Sequence, residues 1–153
     1  MANTYTQIHI QAVFAVKYRA ALIGPEWKDR LHRYMIAIVN NHDHEMLQIN
    51  SMPDHIHLLF GFRPIQSLSD LMGIVKRESS EWLNKEKIAN SYFRWQEGYG
   101  AFSYSRSQVS SVATYIQNQE MHHKKKSFIQ EYESLLEKFE IPYDKRYIFK
   151  EPE

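Results

Sequence analysis

The stretch Pro53-Asp54-His55-Ile56-His57-Leu58-Leu59-Phe60 constrains the fold more than any other part of the chain. Side chains alternate faces along a strand, so His55 and His57 share one face while Ile56, Leu58, Phe60 and Phe62 share the other. The apolar face reads as core. Two imidazoles on one face, two residues apart, can hold a single divalent ion. A His-x-His in a strand is also a common structural or exposed feature, so the pattern proposes half a metal site without establishing it.

The segments around it supply the rest of a sheet. Tyr5 to Val16 alternates, with Ile8, Ile10, Ala12, Phe14 and Val16 on one face and Gln7, His9, Gln11 and Val13 on the other, which predicts a half-buried strand. After Lys17-Tyr18-Arg19, Gly24-Pro25 punctuates the chain and Pro25 is placed to open a helix. From Glu26 to Asn40, Trp27, Leu31, Tyr34, Met35 and Ile38 recur at helical spacing. Glu45 to Met52 reads as a second strand, and Pro53-Asp54 as the tight connection into a third, His55 to Phe62. A second helix, capped by Ser67 or Ser69, carries Leu68, Leu71, Met72, Val75 and Trp82. A short fourth strand is expected near Ala101 to Tyr104. Ser107 is a plausible cap for a third helix from Gln108 to about Met121, and a fourth runs from about Ser127 to Glu140 until Pro142 stops it.

Strand, helix, strand, strand, helix, strand, then two helices is an α+β pattern. Its common solution is a ferredoxin-like sandwich: a four-stranded antiparallel sheet with two helices on one face and extra C-terminal helices. The 153 residues suit one domain, 1–153. Zero cysteines exclude thiolate ligands and fit a reducing, cytoplasmic setting; no apolar run is long enough to span a bilayer, and no leader pattern is read at Met1-Ala2-Asn3-Thr4. A net charge of +1 gives no global field for nucleic acid, so any such site must be a local patch.

In this topology His55 and His57 fall on the sheet face opposite the crossover helices. The third helix carries Tyr115-Ile116-Gln117-Asn118-Gln119-Glu120-Met121-His122-His123. Its core stripe is Val109, Val112, Ala113 and Ile116. Tyr115 and Gln119, four apart, stack beside that stripe. They fit side chains aimed into a site, and they also fit an ordinary amphipathic flank. Two imidazoles and an amide oxygen make a three-ligand site with open positions, suited to Mg²⁺, Mn²⁺ or a similar ion on a phosphate oxygen. A tyrosine hydroxyl can attack such a phosphate and form a phosphotyrosine.

Three stretches in this order (Pro53 to Phe60, Trp95-Gln96-Glu97-Gly98-Tyr99-Gly100-Ala101-Phe102, and Tyr115 to His123) resemble the single-tyrosine transposases of the His-hydrophobe-His superfamily, the TnpA-type enzymes of the IS200 group of insertion sequences. The resemblance runs from the first strand to the helix after Tyr115. It implies an enzyme that cuts and rejoins single-stranded DNA at hairpin-marked element ends and works as a homodimer. It implies His55 and His57 as metal ligands, Tyr115 as the nucleophile forming a 5′-phosphotyrosine, Gln119 as the third ligand, and Mg²⁺ or Mn²⁺ as the cofactor. The tail from about Ile141 carries no motif.

Other candidates are weaker. Lys17, Arg19, Lys76, Arg77, Arg94, His122, His123 and Lys124 are possible DNA-phosphate contacts, and each is equally readable as plain surface charge. His9 reads as a packing or hydrogen-bonding residue near the site. Trp95, Tyr99 and Phe102 could stack on bases, with core packing the stronger reading. The stripe of Phe128, Tyr132, Leu135, Leu136 and Phe139 reads as a docking face for the body or a partner chain. Two further functions compete: a related nickase that processes chromosomal palindromes, and a non-catalytic protein that binds DNA hairpins.

Overall fold

The computed structural model describes residues 3–153. Met1 and Ala2, the start of the stretch read as lacking a leader pattern, lie outside the described residues. Strands β1 (His9–Ala15), β2 (Glu45–Met52), β3 (His55–Gly61) and β4 (Gly100–Tyr104) form one antiparallel sheet in the order β2-β3-β1-β4. Helix α1 (Lys28–Asn41) crosses from β1 to β2, and α2 (Leu68–Lys85) from β3 to β4. The two pack together, with Tyr34 and Trp82 rings 4.2 Å apart. This is the ferredoxin-like arrangement the alternation predicts. Three further helices follow: α3 (Val109–Gln117), α4 (Gln119–His123) and α5 (Phe128–Lys138).

The two faces of the sheet divide as the alternation requires. Phe14, Ile56, Leu58 and Phe60 are fully buried under the crossover helices. Phe14 meets Trp95 edge-on at 4.7 Å, and Lys76 of α2 lies over its ring. Trp95 is core, its Nε1 donating to Ser79 Oγ at 3.0 Å, and Phe102 packs on Phe139 at 4.9 Å. For both residues, packing prevails over base stacking. On the opposite face, Val13, His57 and Asn50 lie in one cross-strand row and Ala15, His55 and Met52 in the next. The C-terminal helices cover this face, and His55 and His57 have no solvent exposure.

Several boundaries differ from expectation. β1 starts at His9 and not Tyr5, because both neighbours end there: His9 is the last residue paired, to Gly61 on one side and Tyr104 on the other. Ser67, and not Ser69, caps α2 by accepting from Asp70 N at 3.0 Å. Ser105, and not Ser107, caps the third helical segment, in a reciprocal capping box with Gln108.

The expected continuous helix from Gln108 to Met121 is broken at Asn118 into α3 and α4. Asn50 Nδ2 donates to the carbonyls of Ile116 (2.9 Å) and Gln117 (3.2 Å), supplying from β2 the partner a continued helix would have supplied. A polar side chain on the histidine row therefore pins the end of α3 to the sheet and turns α4 across the site.

The segment after α5 belongs to the body. Phe149 is buried against Phe128 and Tyr132. Glu153 exchanges backbone hydrogen bonds with Lys17 and Arg19 at 2.8 and 2.7 Å. Tyr132 lies so close to Gly100 that a Cβ there would come within 2.7 Å of its ring, so α5 docks directly on the start of β4. Among the described residues, no helix is long and apolar enough to cross a membrane.

The crossover-helix side carries one acid-sensitive contact. His32 of α1 reaches Ser51 Oγ with its Nε2 at 2.8 Å. Burial, helped by the Lys28 charge and opposed by Asp29, lowers its pKa from 6.5 to about 4. A histidine with a depressed folded pKa takes up a proton on unfolding, so stability falls as the pH drops from about 6.5 towards 4. Partial exposure discounts the full linkage to about 1–2 kcal/mol. The variant His32→Gln, which keeps a donor for Ser51 but cannot titrate, is expected to reduce by that amount the stability lost between about pH 7 and pH 4.5 in chemical denaturation.

Candidate active site

Strand β3 fixes the two histidines, and the break at Asn118 brings two helices to them. His55 Nδ1 lies 2.7 Å from Asp54 Oδ1. The carboxylate accepts a hydrogen bond from Nδ1–H, which leaves Nε2 turned toward the interior of the site. His55 Nε2 is 3.1 Å from Gln119 Oε1. His57 Nδ1 accepts from Gln11 Nε2 at 3.0 Å, and Gln11 Oε1 accepts in turn from the Tyr104 hydroxyl at 2.7 Å. A buried polar chain from β4 through β1 thus orients the second histidine.

At the centre stands Glu131 of α5. Its Oε1 lies 3.1 Å from His57 Nε2, 3.4 Å from His55 Nε2 and 3.1 Å from His123 Nε2. Its Oε2 accepts from Gln119 Nε2 at 3.0 Å and from the Tyr115 hydroxyl. Every one of these groups comes from a single chain. Tyr115 is half-buried, its ring stacked on His122 at 4.5 Å. Phe128, one turn before Glu131, stacks on His55 at 4.1 Å and closes the site on that side.

The electrostatics follow from one buried carboxylate among imidazoles. Burial would raise the Glu131 pKa, but hydrogen bonds from His123, His55 and His57 outweigh it and hold the carboxyl far below its usual range. Burial would lower His55, but the Asp54 and Glu131 carboxylates raise it. His57 is lowered, because burial exceeds the help it draws from Glu131. The Tyr115 hydroxyl is pushed well above its ordinary value by burial, then by the Glu131 charge beside it, so it stays protonated.

The donor set suits a divalent ion. Ligand atoms of His55, His57 and Glu131 all lie within 4.8 Å of one another, and the Gln119 amide oxygen faces the same point. Two imidazoles, a carboxylate and an amide oxygen form a mixed nitrogen and oxygen set compatible with Mn²⁺ or Mg²⁺, and the carboxylate supplies the hard oxygen that the histidines lack.

The structure therefore brings His55, His57, Gln119 and Tyr115 together, as their spacing and the resemblance suggest. His123 belongs to the cluster too, its side chain only 9% exposed, and is not a surface cation. Lys76 also departs from the DNA-contact reading. Its ammonium donates to the carbonyls of Gln96 (2.8 Å) and Gly98 (2.6 Å), and burial lowers its pKa to about 8. It anchors the Trp95–Phe102 loop on the face away from the site, where exposed Arg77 of α2 also lies. Lys17 and Arg19 flank the C-terminal segment, and Arg94 and Lys124 are exposed. His9 is buried outside the cluster, and its Nδ1 has no hydrogen-bond partner among the described residues.

Glu131 is the residue that the sequence reading missed. The signal was present: it lies three positions after Phe128 and four before Leu135, in the middle of an apolar stripe. A carboxylate at the centre of a helix's buried face needs a polar reason to be there.

Known proteins bear on this geometry. The family described as "Transposase IS200 like" matches residues 4–119. The ISDra2 transposase TnpA of Deinococcus radiodurans is 26% identical over 119 residues, spanning 74% of this chain and 84% of that protein. The crystal structure of a putative transposase from Deinococcus radiodurans R1 superposes with a TM-score of 0.60 at 22% identity, covering 78% of this chain and 95% of that one. A REP-associated tyrosine transposase bound to a REP hairpin also gives 0.60, at 12% identity, covering 80% and 73%. Glu131 and His123 lie beyond the matched residues.

If Glu131 belongs to the metal site, Glu131→Gln should weaken Mn²⁺ binding at least about tenfold in isothermal titration. Glu133→Gln, on the same helix but outside the cluster, should leave binding unchanged.

Proposed function

The chain belongs to the IS200-like transposase family, and on that premise we propose that it cleaves and rejoins single-stranded DNA through a 5′-phosphotyrosine on Tyr115. The observation that carries this reading is the convergence of the Tyr115 hydroxyl with His55, His57 and Gln119 on one carboxylate. A tyrosine placed there for packing alone would have no need of that hydrogen bond. A non-catalytic hairpin-binding protein would have no need of the histidine pair and its oriented partners.

In the proposed reaction the Tyr115 oxygen attacks the scissile phosphorus and the bond from phosphorus to the 3′-oxygen breaks. The 5′-phosphate is left on tyrosine, and the departing strand ends in a 3′-hydroxyl after taking up a proton. The Tyr115 proton has an acceptor at hand in Glu131 Oε2. Attack by a 3′-hydroxyl on the phosphotyrosine reverses the chemistry and rejoins strands without a nucleotide cofactor.

His55, His57, Gln119 and Glu131 would hold the Mg²⁺ or Mn²⁺ ion; when bound, it supplies charge stabilisation at the non-bridging phosphate oxygens. Asp54 and Gln11 keep the two imidazoles oriented for that task. Lys124, Lys125 and Lys126 form a positive rim beside the nucleophile, suited to backbone phosphates. The relative solved with a REP hairpin supports hairpin-bearing strands as substrates. In the homodimer that the resemblance implies, a second copy would bring a second strand end.

The test is a labelled single strand carrying a hairpin, incubated with and without Mn²⁺ and then denatured. A covalent protein–DNA adduct is expected only with metal, and Tyr115→Phe should abolish it. His57→Ala should lower cleavage at least about a hundredfold while hairpin binding persists. Normal cleavage by Tyr115→Phe would sink the nucleophile assignment, and absence of an adduct on any hairpin substrate would favour a binding role.

A further inference from the structure

Two cavities open onto Tyr115, one from each end of its helix. The first, about 340 Å³, lies beside the turn that precedes it and is walled by Gln108, by Ser111 and Val112 of α3, by Tyr104 of β4, and by Leu135 and Lys138 of α5. The second, about 460 Å³, lies beyond it and is walled by His122, His123, Lys125, Lys126 and Glu131.

Their chemistry differs. The second brings Lys125 and Lys126, which can neutralise phosphates, together with Met121 and the Glu131 carboxylate. The first has a single lysine among hydroxyl and amide groups, above an apolar floor of Val112 and Leu135. The carbonyl oxygen of Gln108 is already taken by Ser105 N at 3.0 Å, so its amide N–H₂ is what it can offer a ligand. The inner wall is rigid: Gln11 is fully buried and joins the Tyr104 hydroxyl on one side to His57 on the other.

A phosphodiester that reaches the Tyr115 oxygen carries one nucleotide on each side. We propose that the first cavity is a base-binding subsite, which takes one unpaired nucleobase next to the scissile phosphate, while the second cavity holds backbone on the other side. This rests on the strand-transfer reading above and adds to it where the substrate base sits. The size supports one base. At about 340 Å³ the cavity is near the small end of ligand pockets, roughly 300–1,000 Å³, and has room for a single base. The composition supports a base over a phosphate: apolar Val112 and Leu135 with hydrogen-bonding groups around them match the face and edges of an unpaired base. Occupancy would also press on the Tyr104–Gln11–His57 chain, which couples correct seating of the base to the orientation of a metal ligand.

The test uses Tyr115→Phe protein, which leaves the strand intact, and reads equilibrium binding by fluorescence anisotropy. Two labelled single strands about twenty nucleotides long are compared, an oligothymidylate and a fully abasic strand of the same length. The parent is expected to prefer the base-bearing strand about tenfold. Adding Ser111→Leu, at an exposed position where the new side chain fills the cavity without offering a ring to stack, should bring that ratio close to one. Ser107→Leu, on the same wall, should lower it in the same direction. The double change Lys125→Ala and Lys126→Ala should weaken both strands alike and keep the ratio. A parent that binds neither strand, a parent without preference, or a Ser111→Leu protein within about twofold of the parent's ratio would overturn the subsite. Because no cleavage is involved, loss of the proposed activity and loss of the subsite are read separately.

Discussion

One buried carboxylate organises the active face. Glu131 has almost no solvent contact, and a charge in that position is stable only if it is fully hydrogen-bonded and countered. Its two oxygens meet three imidazoles, an amide and a phenol, contributed by β3, α3 and α4. Removing one partner of such a buried set commonly costs roughly 3–5 kcal/mol, so the helices that carry the partners are held together by the same charge that shapes the site. The apolar stripe of α5 brings the carboxylate in, and Tyr132 against Gly100 with Phe149 behind it holds the helix in place. Hydrophobic burial provides the docking, and the polar cluster selects its register.

The same charge sets the resting chemistry. Next to Glu131 the Tyr115 hydroxyl is held protonated, and the Asp54 and Glu131 carboxylates favour the protonated form of His55. Glu131 lies beyond the residues matched to the IS200-like family.

Much of the fold was legible because its signals are local. β2 spans Glu45 to Met52 as read, and the capping box at Ser127 marks the start of α5. The errors arose where a distant partner decided the outcome. β1 loses its first residues because its neighbours stop. The third helix breaks because Asn50, far away in sequence, captures the carbonyls of Ile116 and Gln117. Lys76, an ordinary surface lysine by periodicity, is taken up by two loop carbonyls.

By itself the sequence determined the sheet, the two-sided character of β3, and the placement of His55 and His57 away from the crossover helices. These follow from a period of two and from the order of elements. It also placed Tyr115 and Gln119 one turn apart. The tertiary structure alone decided that they meet the histidines within one chain, that His123 turns inward, and that Glu131 completes the set. Periodicity fixes which way a side chain faces on its own element, whereas contacts between elements depend on how helices dock. That docking is set by the sum of many weak apolar contacts, which no single motif encodes.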